Sequence, residues 1–191
     1  MSLIDYMETD RLNAFYDAII AIIITVLVLE LPQPLSPTLD AIWSLRLSYF
    51  AYLISFLVCV NMWNYHHKIF RHVKRVDSRT VWINIWLLLI LSIIPYLTLF
   101  VADNFSNLLP QVLYGLDYAL VNLTLFLMSY KLLKLNPESE YLKHALNIKN
   151  NLVIPMILYI ISFIIGILGY PQAISIICLF TVVATLISDI K

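Results

Sequence analysis

The sequence predicts an all-α integral membrane protein with six transmembrane helices in a single domain, residues 1–191, and no soluble domain. Three observations predict it. Hydrophobic residues make up 61% of the chain and charged residues only 13%, about half the charged share that a water-exposed surface carries. Six apolar runs are each long enough to cross a hydrocarbon layer of about 30 Å, which takes about 20 helical residues. Eleven of the twelve lysines and arginines fall on one side if the chain crosses an even number of times.

Helices are expected rather than a barrel. Lipid offers no partner to an exposed backbone group, so only helices or closed barrels span it. Barrel strands alternate apolar and polar residues, and the run 83–100 does not. The predicted segments are 11–31, 45–70, 81–102, 109–133, 152–169 and 172–188. Pro32-Gln33-Pro34 and Pro37 end the first. A basic run divides the second from the third, and Asp103-Asn104-Phe105-Ser106-Asn107 closes the third. Asn136-Pro137-Glu138 follows the fourth, and Gly169-Tyr170-Pro171 makes a tight hairpin between the last two. Pro95 and Pro155 are expected inside spans, as sites of kinking. No cleavable signal peptide is expected, because the first apolar run follows Glu8-Thr9-Asp10-Arg11 and ends without a small-residue cleavage site.

Orientation follows from the positive charges. Lys68, Arg71, Lys74, Arg75 and Arg79 lie between the second and third segments. Lys131, Lys134, Lys143 and Lys149 lie between the fourth and fifth, with Arg11 and Lys191 at the two ends. All are cytoplasmic if both termini are, and only Arg46 lies opposite. The expected location is the cell membrane. Net charge is zero, and no basic patch points to nucleic acid. Cys59 and Cys178 sit in apolar runs and are expected to be buried thiols.

The first segment carries the most informative side chains. Asp17 lies near its cytoplasmic end, and a carboxylate there normally faces protein or water. Arg11 and Asp17 point about 240° apart around a helix, so each is expected to bond elsewhere. Together they form a structural network or a proton or ion site. Ile22, Thr25 and Leu29, spaced by three and four, share a face, with Ala14, Ala18 and Ala21 on or near it. That stripe is either a packing surface or a pore lining. Thr25 is placed to bond back to the carbonyl four residues earlier. Ile24 and Val28 lie on its flank. The second segment ends in Asn61-Met62-Trp63-Asn64-Tyr65-His66-His67-Lys68. Trp63 and His67 share a face that would meet Asp17 at the same depth, with His66 beside them. Adjacent histidines diverge by about 100°, against the spacing of four of a helical two-histidine metal site, so no metal is expected. Asp117 is placed near the outer end of its segment, within reach of water. No phosphate loop or nucleophile–base set occurs, so the chain is not expected to be an enzyme or to need a cofactor.

Arg11-Leu12-Asn13-Ala14-Phe15-Tyr16-Asp17 resembles the first-helix signature Arg-x-x-x-Phe-Ser-Asp of the lysosomal potassium channel family, the transmembrane protein 175 family, in its prokaryotic branch. Leu27-Val28-Leu29-Glu30-Leu31-Pro32 and Trp63-x-x-His66-His67 with Phe70 are similar to that family too. Tyr16 departs from it, standing where the family usually has Ser. The resemblance implies a homotetrameric channel in the lipid bilayer that passes K+ over Na+, with helix one lining a central pore. It implies that Ile22, Thr25 and Leu29 face that pore, with Ile22 and Leu29 as dry constrictions and Thr25 as the polar step. Arg11, Phe15 and Asp17 match the signature, and with Trp63, His66 and His67 they form a structural or gating network outside the filter. The permeant ion is then K+, and no cofactor is implied. Two other classes are carried beside the channel. A small secondary transporter or proton-coupled carrier would use Asp17 and the histidines and would show a broken helix. A membrane enzyme would hold a metal at His66, His67 and Asp17.

Overall fold

The computed structural model describes residues 9–145 and 153–190, and eight helices are found among them. They are α1 (Thr9–Leu29), α2 (Leu39–Ser44), α3 (Arg46–Phe70), α4 (Ser78–Asp103), α5 (Leu108–Leu135), α6 (Glu140–Ala145), α7 (Ile154–Ile167) and α8 (Ala173–Ile190). Lys149, Lys191 and the expected start of the fifth segment at Leu152 lie outside the described residues. By length and apolar composition α1, α3, α4 and α5 can each cross a membrane, while α7 and α8 are shorter apolar helices. The short helices α2 and α6 sit in connections and were not expected from the sequence. The Thr38 hydroxyl caps α2 by accepting from the Ala41 amide at 3.3 Å.

Polar side chains mark where the helices meet. At the end away from the lysines, the Ser55 hydroxyl on α3 bonds Thr98 on α4 at 2.6 Å and Tyr114 on α5 at 2.9 Å. Gln111 on α5 accepts from the Ser175 hydroxyl at 2.5 Å and holds α8. At the basic end, Asn136 clamps the α3–α4 connection to the end of α5. Its Oδ1 accepts from the amides of Lys74 (3.0 Å) and Arg75 (2.9 Å). Its Nδ2 donates to the carbonyls of Arg75 and Leu132, both at 3.0 Å. Asp77 caps α4 by accepting from the Thr80 amide at 2.9 Å and hydroxyl at 2.7 Å, and it pairs with Lys131 at 3.0 Å. Partial burial opposes ionisation of this carboxyl. The Thr80 bonds and Lys131 outweigh that and hold it below its ordinary range.

One expectation is corrected here, that Asp117 reaches water. Pro155 stands in the first turn of α7. Pro95 lies inside α4. Asp117 is buried, 8% exposed, because α5 turns that side into the bundle.

The α5–α8 crossing predicts a stability effect. Gly115 lets the helices close: a Cβ there would run into the Cγ2 methyl of Ile174, with the Phe163 ring 3.3 Å away. That methyl sits on a β-branched carbon and has little freedom to move. Gly115→Val is expected to destabilise the subunit by about 1–3 kcal/mol, read as a lower midpoint of thermal unfolding in detergent. An unchanged midpoint would show that the crossing tolerates separation.

Candidate functional site

Helix α1 packs on α3 and α4 with one face only. Leu12, Tyr16, Ile20, Ile23 and Leu27 are buried, each 4% exposed or less. Their spacing of three and four is the period of a single helix stripe. The opposite arc is bare. Ile22 is 61% exposed and Leu29 75%, and Thr25 is exposed between them. The Thr25 hydroxyl donates to the carbonyl of Ala21 at 2.8 Å. Its proton is thereby committed to the backbone, and its oxygen lone pairs remain as acceptors. Ile24 is partly buried against the core. Val28 is itself 48% exposed, so of the two flanking residues only Ile24 turns away from the bare arc.

At the basic end of α1, the Trp63 indole Nε1 donates to Asp17 Oδ1 at 2.9 Å. The His67 ring stacks on Trp63, centroids 5.5 Å apart, and braces the indole. His66 is buried one position away. It lies between the rings of Tyr16 (3.6 Å, interplanar angle 2°) and Phe70 (4.2 Å, 19°), and its Nε2 is 3.0 Å from Asn84 Oδ1 on α4. Arg11 and Phe15 are exposed, and Arg11 has no hydrogen-bonding or ionic partner among the described residues.

The structure thus gathers Asp17, Trp63 and His67 at one point and sets His66 in a separate aromatic stack. It leaves Arg11 and Phe15 on the bare face. Among the described residues no cluster of three or more His, Cys, Asp or Glu side chains is placed to hold a metal. Cys59 and Cys178 are free, buried thiols. Two anchoring residues escaped the sequence reading. Tyr16 stacks on His66 through its ring instead of bonding through a small hydroxyl. Asn84 is a lone polar side chain in an apolar run, and that was the available signal.

A protein named potassium channel from Chryseobacterium sp. (strain P1-3) is 30% identical over 156 residues, spanning 82% of this chain and 81% of its own. The chain belongs to the TMEM175 family. The family model described as "Endosomal/lysosomal potassium channel TMEM175" matches residues 11–95, from the signature through α1, α3 and into α4. A protein named potassium channel from Chamaesiphon minutus is 37% identical over 102 residues, half of each chain. Zebrafish "endosomal/lysosomal proton channel TMEM175" is 26% identical over 159 residues, 74% of this chain and 30% of its own. The crystal structure of a lysosomal potassium-selective channel TMEM175 homolog from Chamaesiphon minutus shares the fold. Its TM-score is 0.82 at 23% identity, over 96% of this chain and 98% of that one. The all-helical, multi-pass membrane architecture of this chain is therefore that of the TMEM175 family.

Proposed function

We propose that the chain is one subunit of a homotetrameric potassium channel in the cell membrane, passing K+ in preference to Na+. Each subunit crosses six times through α1, α3, α4, α5, α7 and α8, with both termini cytoplasmic. Four copies of α1 surround the axis. Ile22 and Leu29 form dry rings that resist a hydrated ion, and Thr25 offers oxygen lone pairs between them. The Trp63–Asp17 bond, braced by His67, fixes the inner end of each α1, while the Tyr16–His66–Phe70 stack ties the helix to the bundle. No catalytic step and no cofactor enter this reading.

The observation that carries it is the bare arc of α1. A helix that buries one stripe and exposes Ile22, Thr25 and Leu29 on another has a second face to place. Repetition around a cyclic axis places it without a second copy of the signature in the chain. The relatives named potassium channel support the ion. The uninterrupted run of α1 supports a channel over a carrier, since transporter sites are built on broken helices. Single-channel recording of purified protein, with potassium and sodium on opposite sides, tests it. Discrete, non-saturating currents reversing toward the potassium potential are expected. Saturating flux coupled to a proton gradient would overturn the channel reading, and a stable monomer in native mass spectrometry would overturn the tetramer.

A further inference from the structure

The exposed arc of α1 extends well past the residues assigned to the constriction. Arg11, Phe15, Ala18, Ile22, Thr25 and Leu29 are separated by four, three, four, three and four residues, and all six are exposed on the subunit. That unbroken 3–4 alternation is the seam along which helices meet when they wrap around a shared axis. Arg11 and Leu29 are also eighteen residues apart, five full turns, so they lie on one line even along a straight helix. A helix in either geometry that turns Ile22 and Leu29 to the axis turns Phe15 and Arg11 the same way.

We propose that the permeation path continues below Ile22 along Ala18 and Phe15 and ends at the basic face in a collar of Arg11 guanidinium groups, which opposes cation access from that side. The inference rests on the pore reading given above. Arg11 lies about 16 Å below Ile22 along the helix, at the level of the basic end. Its charge has no partner among the described residues. Asp10 is the sequence neighbour of Arg11 at the start of α1, and Asp17, six residues further along, points about 120° off the line and is engaged by Trp63. A ring of positive charge at a channel mouth lowers the local cation concentration, and salt screens it over a Debye length of about 10 Å at 0.1 M. Phe15, 49% exposed, presents its ring just inside the collar, where the negative face of an aromatic attracts a cation.

Two measurements on the full-length channel in planar bilayers test this. Arg11→Gln is expected to raise potassium current flowing from the basic side severalfold at low salt and to leave it nearly unchanged at high salt, while Arg11→Lys stays like the parent. In the second, a cationic thiol reagent is applied from the basic side to single cysteines. The native Cys59 and Cys178 are buried and contribute no background. Phe15→Cys, Ala18→Cys and Ile22→Cys are expected to lose current on modification, and Ile19→Cys and Ile24→Cys, at positions packed against the core, to keep it. If Ile22→Cys is blocked while Phe15→Cys and Ala18→Cys are not, or if the gain in Arg11→Gln is independent of salt, the collar is overturned and the pore reading stands. Block at Ile19→Cys and Ile24→Cys but not at Phe15→Cys means that α1 is rotated, which also overturns it. Silence at Ile22→Cys together with all the others overturns the pore reading, and the collar falls with it.

Discussion

Ile22→Asn and Leu29→Asn are each expected to raise the current severalfold and to weaken the preference for potassium over sodium. An apolar ring does not ligate an ion; it acts by excluding the water an ion carries. An amide at either level lets water remain and lowers the dehydration cost that separates the two cations. Thr25→Val preserves shape but removes the oxygen whose lone pairs face outward while its proton is held by Ala21. It is expected to reduce current without opening a leak. Ile24, packed against the core, is the control. Recordings under potassium–sodium gradients decide the matter. Altered selectivity in Ile24→Asn with parental behaviour in Ile22→Asn and Leu29→Asn would remove α1 from the pore in this orientation.

Asp17→Ala is expected to impair assembly or gating and to leave ion preference intact. The Trp63 indole would lose its acceptor at a membrane boundary, a loss on the order of 1 kcal/mol per subunit, since the site is partly exposed. Repeated in every subunit, that loss is enough to shift an assembly equilibrium. Trp63→Phe removes the donor while keeping a ring for His67 to stack on. The double variant Asp17→Ala/Trp63→Phe is therefore expected to be no worse than Asp17→Ala alone. Native mass spectrometry gives the oligomer fraction and bilayer recording gives the selectivity. A variant that assembles normally but no longer distinguishes potassium from sodium would move Asp17 into the filter.

Much of this was legible because membrane-spanning helices obey simple periods. The apolar runs, the proline and Asn-Pro breaks and the lysine bias are local signals, and α3, α4 and α5 lie on the segments they mark. The approach of Trp63 to Asp17 could also be read, because depth and helical angle are both set by counting residues. Tyr16 could not. A tyrosine near a membrane boundary is ordinarily an interfacial side chain, and only the packing of α1 on α3 shows its ring lying flat on His66. Asp117 was misread for a related reason. Its distance along the sequence from the end of α5 says nothing about which side α5 turns inward, and the structure turns Asp117 inward close to the buried Tyr114, three residues before it. Val28 was assigned to the flank by angle from one stripe, but the bare arc of α1 is broad enough to include it.

The Asn136 clamp has a consequence in chemical ageing. Asparagine side chains decay over the lifetime of a protein when the next residue's backbone nitrogen attacks the side-chain amide, closing a succinimide and releasing ammonia. The residue after Asn136 is Pro137, whose ring nitrogen carries no hydrogen and cannot close that ring. Both oxygen lone-pair directions and both N–H bonds of Asn136 are already committed to the backbone of the connection and of α5. An aspartate in its place would lose the two donated bonds and set a negative oxygen against the Arg75 carbonyl. The junction that holds the basic face together is thus built on an amide whose neighbour closes its commonest route of decay, so this contact should outlast other asparagine-based contacts in the chain.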